Sequence, residues 1–301
     1  MKRFAPNPSF TAGFAIVVLL VAVAALGPLL AHADPLAIHL SDSLARPSGR
    51  HLLGCDALGR DVFARIMYGA RLSLGLSVSV VALSLMVGSL IGGVAGLSGG
   101  WIDELIMRGV DVLLAFPGIL LAIALAALLG PGVLGLVIAL SGMGWTTYAR
   151  LVRGEVLSLR EREYVRAAET LGARPARVLL RHLIPAMAGP VVVQATFGVG
   201  GIIGAEAALS FLGLGALPPT PSWGNMLDAG RAFMLIAPYL TIAPGLAIGL
   251  AILGFNLLGD GLAQLAGTHP SRGRVHRRGG RILSGFGFDV LDNSPRSNPN
   301  G

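Results

Sequence analysis

Eight arginines lie between Arg150 and Arg181, and the segment 162–190, REYVRAAETLGARPARVLLRHLIPAMAGP, interrupts two long apolar runs. Guanidinium groups stay charged, so arginines at this density mark a structured loop at a membrane surface and not a span. Catalysis is poorly served elsewhere. The only lysine is Lys2, so the chain has no GxxxxGK[ST] loop to hold nucleotide phosphates. Any ATP-driven step would need its motor on another polypeptide. A single cysteine, Cys55, excludes an intramolecular disulfide, and the six histidines lack HExxH spacing. Ser141 lacks the GxSxG context of a nucleophile, which leaves a membrane enzyme without its parts.

The charged segment must be held by membrane spans. Hydrophobic residues make up 53% of the chain and charged residues 13%, and mean hydropathy is +0.72; soluble domains carry about a quarter charged residues. About 20 apolar helical residues cross a ~30 Å hydrocarbon core. Phe10 to Ala31, Leu72 to Ile102, Ala186 to Ala205 and Ile236 to Leu258 meet that length. Val112 to Tyr148 must be split, and Pro131-Gly132 is the expected break. The expectation is an all-α integral membrane protein with six transmembrane helices.

Lys2 and Arg3, the eight arginines from Arg150 to Arg181, and Arg272 to Arg281 fall on one side if both termini are cytoplasmic. The five arginines between Arg46 and Arg71 run against that pattern. Ala31-His32-Ala33 imitates a signal-peptidase site, but the apolar run before it exceeds a signal core, so the first span is read as retained. The net charge of +7 and pI near 10.6 fit anionic lipid and topology better than nucleic acid. Three regions follow: 1–70, with a cytoplasmic stub, the first span and an external segment; 71–262, a five-helix core; and 263–301, a basic cytoplasmic tail whose composition predicts disorder.

Within the arginine-rich segment, Tyr164, Ala168 and Leu171 recur at helical spacing. Gly172 then provides a left-handed helix end, and Pro175 suits the first turn of a second helix. On these residues alone, a docking lever and an amphipathic helix lying on lipid remain equal alternatives. Glu206, in GAEAALSFLGLG, is an intramembrane carboxylate that could gate or could form a helix-to-helix hydrogen bond. The stiff loop LPPTPSWGNMLDAGR exposes Trp223 in this reading, as a contact for an external partner or an interfacial cap. Glycine triplets and pairs such as Gly88, Gly92 and Gly96, or Gly245 and Gly249, predict close helix packing.

Ala167-Ala168-x3-Gly172-x9-His182-Leu183-Ile184-Pro185 resembles the EAA signature of the membrane subunits of bacterial binding-protein-dependent ABC importers. Arg166 replaces the usual glutamate and His182 the usual isoleucine. Segments 53–80, 107–123, 206–227 and 256–262 resemble the C-type permeases of the dipeptide, oligopeptide and nickel branch. The resemblance implies a type I ABC importer permease fold and a cytoplasmic coupling-helix loop in which Tyr164, Arg166, Ala167, Ala168, Gly172, Arg181 and Pro185 meet an ATPase. Arg174, Arg177 and Arg181 are further candidates for pairing with its acids. It also implies a paired homologous permease subunit, two ATP-binding cassette subunits and an external substrate-binding protein. No cofactor would be bound by this chain; ATP and Mg would be used by the partners. Peptide is the first substrate expected, ahead of nickel or glutathione. A standalone channel or secondary carrier is the alternative.

Overall fold

A computed structural model describes residues 8–31, 33–173 and 175–266. It contains no strand among them, only an isolated bridge between Cys55 and Asp61. The helices are α1 (Pro8–Leu30), α2 (Val62–Ser98), α3 (Gly100–Ala115), α4 (Gly118–Leu129), α5 (Val133–Arg160), α6 (Glu163–Thr170), α7 (Pro175–Val178), α8 (Ile184–Phe211), α9 (Trp223–Arg231) and α10 (Tyr239–Leu265). A five-residue π-turn, Leu179–Leu183, joins α7 to α8. The tail expected to be disordered lies outside the described residues from position 267 onward, as do Arg272 to Arg281.

Helix boundaries follow local chemistry. Asp61 caps α2 by accepting the Ala64 N–H at 2.8 Å, and Gly99, at positive φ, separates α2 from α3, which begins at Gly100, also at positive φ. The expected break at Pro131-Gly132 is present between α4 and α5. A second break divides the apolar run that the sequence reading treated as one span. Phe116 is extended before Pro117, and α3 and α4 meet at a bend of 87°. Proline lacks the N–H that would continue the ladder, and its ring disfavours helical backbone at the preceding residue.

Four described helices are long and apolar enough to cross a membrane, or up to five if the bent pair is one span. Helix α5 falls outside this count. Its residues 133–149 are uncharged, but Arg150, Arg153, Glu155 and Arg160 occupy its second half.

Helices α2 and α5 run parallel with their backbones nearly touching. A Cβ at Gly88 would strike the Trp145 carbonyl, one at Gly92 the Ala149 carbonyl, and one at Gly96 would lie 2.8 Å from Val156 Cβ. Close approach of this kind gains dispersion contacts where lipid offers no hydrophobic drive. The Gly245 and Gly249 pair has no such role: Gly245 reaches only Leu227 at 4.0 Å and Gly249 meets nothing. Polar clamps reinforce the α2–α5 seam at one end. Arg160 donates to the Gly96 carbonyl, and Asp103 of α3 takes Arg153 through both Nε and Nη2 at 2.5 and 2.6 Å. Asp111 pairs with Arg150 at 2.6 Å, consistent with a structural role at a helix boundary.

At the opposite end, residues 33–61 fold over the starts of α2 and α10. The Tyr239 hydroxyl lies 3.0 and 3.2 Å from the carbonyls of Ala45 and Cys55 and shares its proton between them. Replacing Gly92 by leucine should disrupt the α2–α5 seam, because overpacking costs about 1–3 kcal/mol or more even where side chains can yield, and here the obstacle is backbone. Thermal unfolding in detergent should show a lowered midpoint for Gly92→Leu and none for Gly201→Ala, whose Cβ meets nothing. Equal midpoints would contradict the packing described.

Candidate functional site

The arginine-rich segment folds as two short helices on a small apolar foundation. Val165, Val178 and Leu183 are buried against Val152 and Val156 of α5 and Met187 of α8, with Leu97 of α2 alongside. The inward anchor of α6 is therefore Val165. Tyr164 and Leu171, placed by spacing on one apolar face, point outward, and Leu171 is 89% exposed. The helix is too short to bury that face as well as the one carrying Val165.

Gly172 ends α6 as expected. Its φ is +83°, and the Ala173 N–H bonds the Ala168 carbonyl at 3.1 Å, the six-to-one bond of a glycine-terminated helix. A Cβ at Gly172 would meet nothing within 4 Å, so the position is constrained by conformation rather than by space within this chain. Helix α7 passes through the π-turn directly into α8, and Pro185 lies in the first turn of α8, where proline is tolerated.

Arg166 forms an ion pair with Glu161, and the Thr170 hydroxyl donates to the Arg166 carbonyl. Both charged side chains are mostly exposed, so the pair contributes at most about 1 kcal/mol. His182, in the position of the usual isoleucine, sets its ring 6.3 Å from that of Tyr164, tying α6 to the root of α8. Sequence spacing gave no sign of this contact. Arg177 and Arg181 are exposed, Ala167 is exposed and Ala168 is partly so; Arg174 lies outside the described residues. The result is an exposed apolar ridge of Leu171, Ala167 and Tyr164 on α6, with Arg177 and Arg181 exposed on α7 and the π-turn that follow. It holds no nucleophile paired with a base, and no group of three metal-ligating side chains occurs among the described residues. Exposed apolar side chains beside exposed arginines suit contact with a second surface, whether a protein or a lipid headgroup layer.

Glu206 is placed far from this ridge, at 1% exposure. Ser210 donates to its Oε1 at 2.8 Å, and Ser73 of α2 donates to its Oε2 at 3.3 Å. The Ser73 hydroxyl in turn accepts the Trp223 N–H at 3.3 Å. One carboxylate thus joins α2, α8 and the start of α9, which is the geometry of an interhelical hydrogen bond.

The expectation that Trp223 is exposed is overturned. Its side chain is 1% exposed, its indole Nε1 donates to the Ile66 carbonyl at 3.1 Å, and it lies over Gly69. Ser222 and Asn225 form a reciprocal capping box that starts α9 and turns the tryptophan inward. A buried indole satisfied by backbone cannot be the contact for an external partner. The Asp56 to Arg65 segment is likewise internally bonded, with Arg60 Nε 2.7 Å from Asp56.

Comparison with known proteins identifies the family. The family model for the "binding-protein-dependent transport system inner membrane component" matches residues 88–268, and that for the "N-terminal TM domain of oligopeptide transport permease C" matches residues 1–47. The chain is 43% identical to the dipeptide transport system permease protein DppC of Alkalihalophilus pseudofirmus, over 87% of this chain and 86% of the relative. It is 44% identical to the glutathione transport system permease protein GsiD of Pectobacterium atrosepticum, over 87% of each. Identity to GsiD of Escherichia coli O157:H7 is 45%, over 87% of this chain and 86% of the relative. An arginine-bordered ridge on a glycine-packed helical bundle, with these matches along most of its length, places the chain in the family of inner membrane components of binding-protein-dependent transport systems.

Proposed function

We propose that this chain is the non-catalytic permease subunit of an ABC importer for dipeptides or oligopeptides, with α6 and α7 as its coupling loop. The observation that carries the reading is the exposed ridge of Leu171, Ala167 and Tyr164, braced by Val165 and Val178 on helices of the bundle. Solvent-facing apolar residues on a rigid base suit a partner groove. Exposed Arg177 and Arg181 at its border suit acids on that partner. In this reading two ATP-binding cassette subunits bind and hydrolyse ATP with Mg on the cytoplasmic side. A homologous permease completes the pathway, and an external binding protein delivers substrate.

Both termini are then cytoplasmic, and the apolar half of α5 completes six spans. Retention of α1 is supported by the match of residues 1–47 to a membrane domain of permeases. The cycle is a two-state rearrangement of the bundle, biased by ATP through the loop. Similarity to glutathione permeases at 44–45% supports a second substrate reading within the same role, a γ-linked tripeptide.

Gly172 tests the coupling. A β-branched residue at φ +83° is strained by about 1–3 kcal/mol, whereas asparagine tolerates that region. In proteoliposomes holding the full complex and binding protein, Gly172→Val should hydrolyse ATP with little uptake, while Gly172→Asn keeps most of its uptake. Normal coupling in Gly172→Val would contradict the assignment. Glu206 is proposed as a structural tie, so Glu206→Gln should assemble and transport, because the amide keeps one acceptor and the serine hydroxyls can rotate to meet the other end. Glu206→Leu should fail to assemble, leaving buried hydroxyls unpaired. A Glu206→Gln complex that assembles but does not transport would instead make the charge part of the transport step.

A further inference from the structure

The end of the molecule opposite the coupling loop contains a cavity of about 210 Å³ between the 56–60 turn, the start of α2, and α9 and α10. Its apolar lining includes Val62, Met226, Phe233 and Leu240, and its charged lining is Asp56, Arg60 and Arg65. Asp56 is already committed. Its Oδ1 accepts the backbone N–H groups of Leu58 and Arg60 at 2.9 and 3.0 Å, and its Oδ2 accepts Arg60 Nε at 2.7 Å.

Arg65 is held differently. It is 5% exposed, its Nη1 donates to the Pro35 carbonyl at 3.2 Å, and its Nε lies 3.8 Å from Asp56 Oδ2, beyond hydrogen-bond distance. One carboxylate therefore faces two guanidinium groups, leaving a unit of positive charge uncompensated among the residues lining an apolar cavity. A buried cation without a full counter-charge is costly, and an incoming anion relieves that cost. Asp56 already faces two guanidinium groups, so the cavity has no unpaired acid for an ammonium group.

Size narrows the ligand further. Pockets for whole small molecules run from roughly 300 to 1,000 Å³, so this one admits a single residue-sized apolar group beside a carboxylate. We propose that the cavity binds the apolar C-terminal residue of a peptide, with its α-carboxylate on Arg60 and Arg65 and its side chain against Met226 and Phe233. The peptide's amino end plays no part and remains outside. The proposal rests on the permease reading only for the source of the ligand; an N-acylated apolar amino acid carries the same chemistry.

Saturation-transfer NMR on the assembled complex in nanodiscs, without binding protein, tests this with N-acetyl-L-leucine and N-acetyl-L-leucinamide. The acid should bind, and the amide should bind at least about tenfold more weakly, the loss expected when a charge-assisted hydrogen bond is removed. Ala229→Trp fills the cavity from an exposed lining position. It should abolish binding of the acid, and Arg60→Gln should erase the difference between acid and amide. Size-exclusion profile and ATPase activity report whether each variant assembles. Equal binding of acid and amide, undiminished binding in Ala229→Trp, or no binding to the wild-type complex would overturn the proposal. Peptide uptake measured alongside separates the two claims. A complex that transports but does not bind N-acetyl-leucine refutes the cavity alone, and one that binds it but transports no peptide refutes the substrate reading alone.

Discussion

Backbone contact between α2 and α5 is the constraint on which the rest of the molecule depends. Gly88, Gly92 and Gly96 leave no room for a side chain, so the two helices cannot slide past each other without breaking the seam. The second half of α5 supplies Val152 and Val156, on which the α6–α7 segment rests, and Arg160 locks its end to the Gly96 carbonyl. A close-packed interior passes displacement on instead of absorbing it. Leu171 and Ala167 are thus connected to α5 through Val165, and α5 to α2 through the glycines.

Helices α2 and α8 reach the opposite end. Helix α2 runs from Ser73, beside Glu206, to Gly96, beside the loop. Helix α8 returns from Met187, in the loop's foundation, to Glu206. Each therefore has one end against the α6–α7 segment and the other in the hydrogen-bonded knot that seats α9. Trp223 adds an indole bond to Ile66 of α2, and Gly224 brings α9 close to Ser210 of α8. A carboxylate shared by three elements holds them in fixed geometry, because each hydroxyl it accepts would be costly to leave unpaired in apolar surroundings.

Much of this was legible because it is local chemistry. Gly172 as a helix end, Pro131-Gly132 as a break, and the spacing from Ala167 to Pro185 are set by residues within a turn or two of one another. The bend at Phe116-Pro117 was missed because hydropathy is continuous across it, although a proline after an aromatic residue was signal enough. Spacing puts Tyr164 and Leu171 on one face of α6, but periodicity does not say whether a face turns towards the core or away from it, and Val165 takes the inward position. Trp223 was misjudged by assuming that tryptophan in a proline-rich loop sits at the membrane surface. Ser222 and Asn225 three residues on announced the cap that draws it inside. The Glu206 knot depends on Ser73, distant in sequence, and no spacing rule connects them.

The central claim is that the ridge around Leu171 docks on an ATPase and moves with it. The native thiol makes a direct test practical. Cys55 is fully buried, and burial with the nearby charges of Asp61, Asp42 and Asp56 pushes its thiol up to about 11, so little reactive thiolate exists near neutral pH. A cysteine introduced as Leu171→Cys would therefore report alone, and its maleimide labelling should be measured in membranes with and without the ATP-binding subunits. The account predicts rapid labelling of the permease by itself and strong protection in the complex, altered when ATP is trapped. Labelling that is equally fast with and without the ATPase subunits would contradict it.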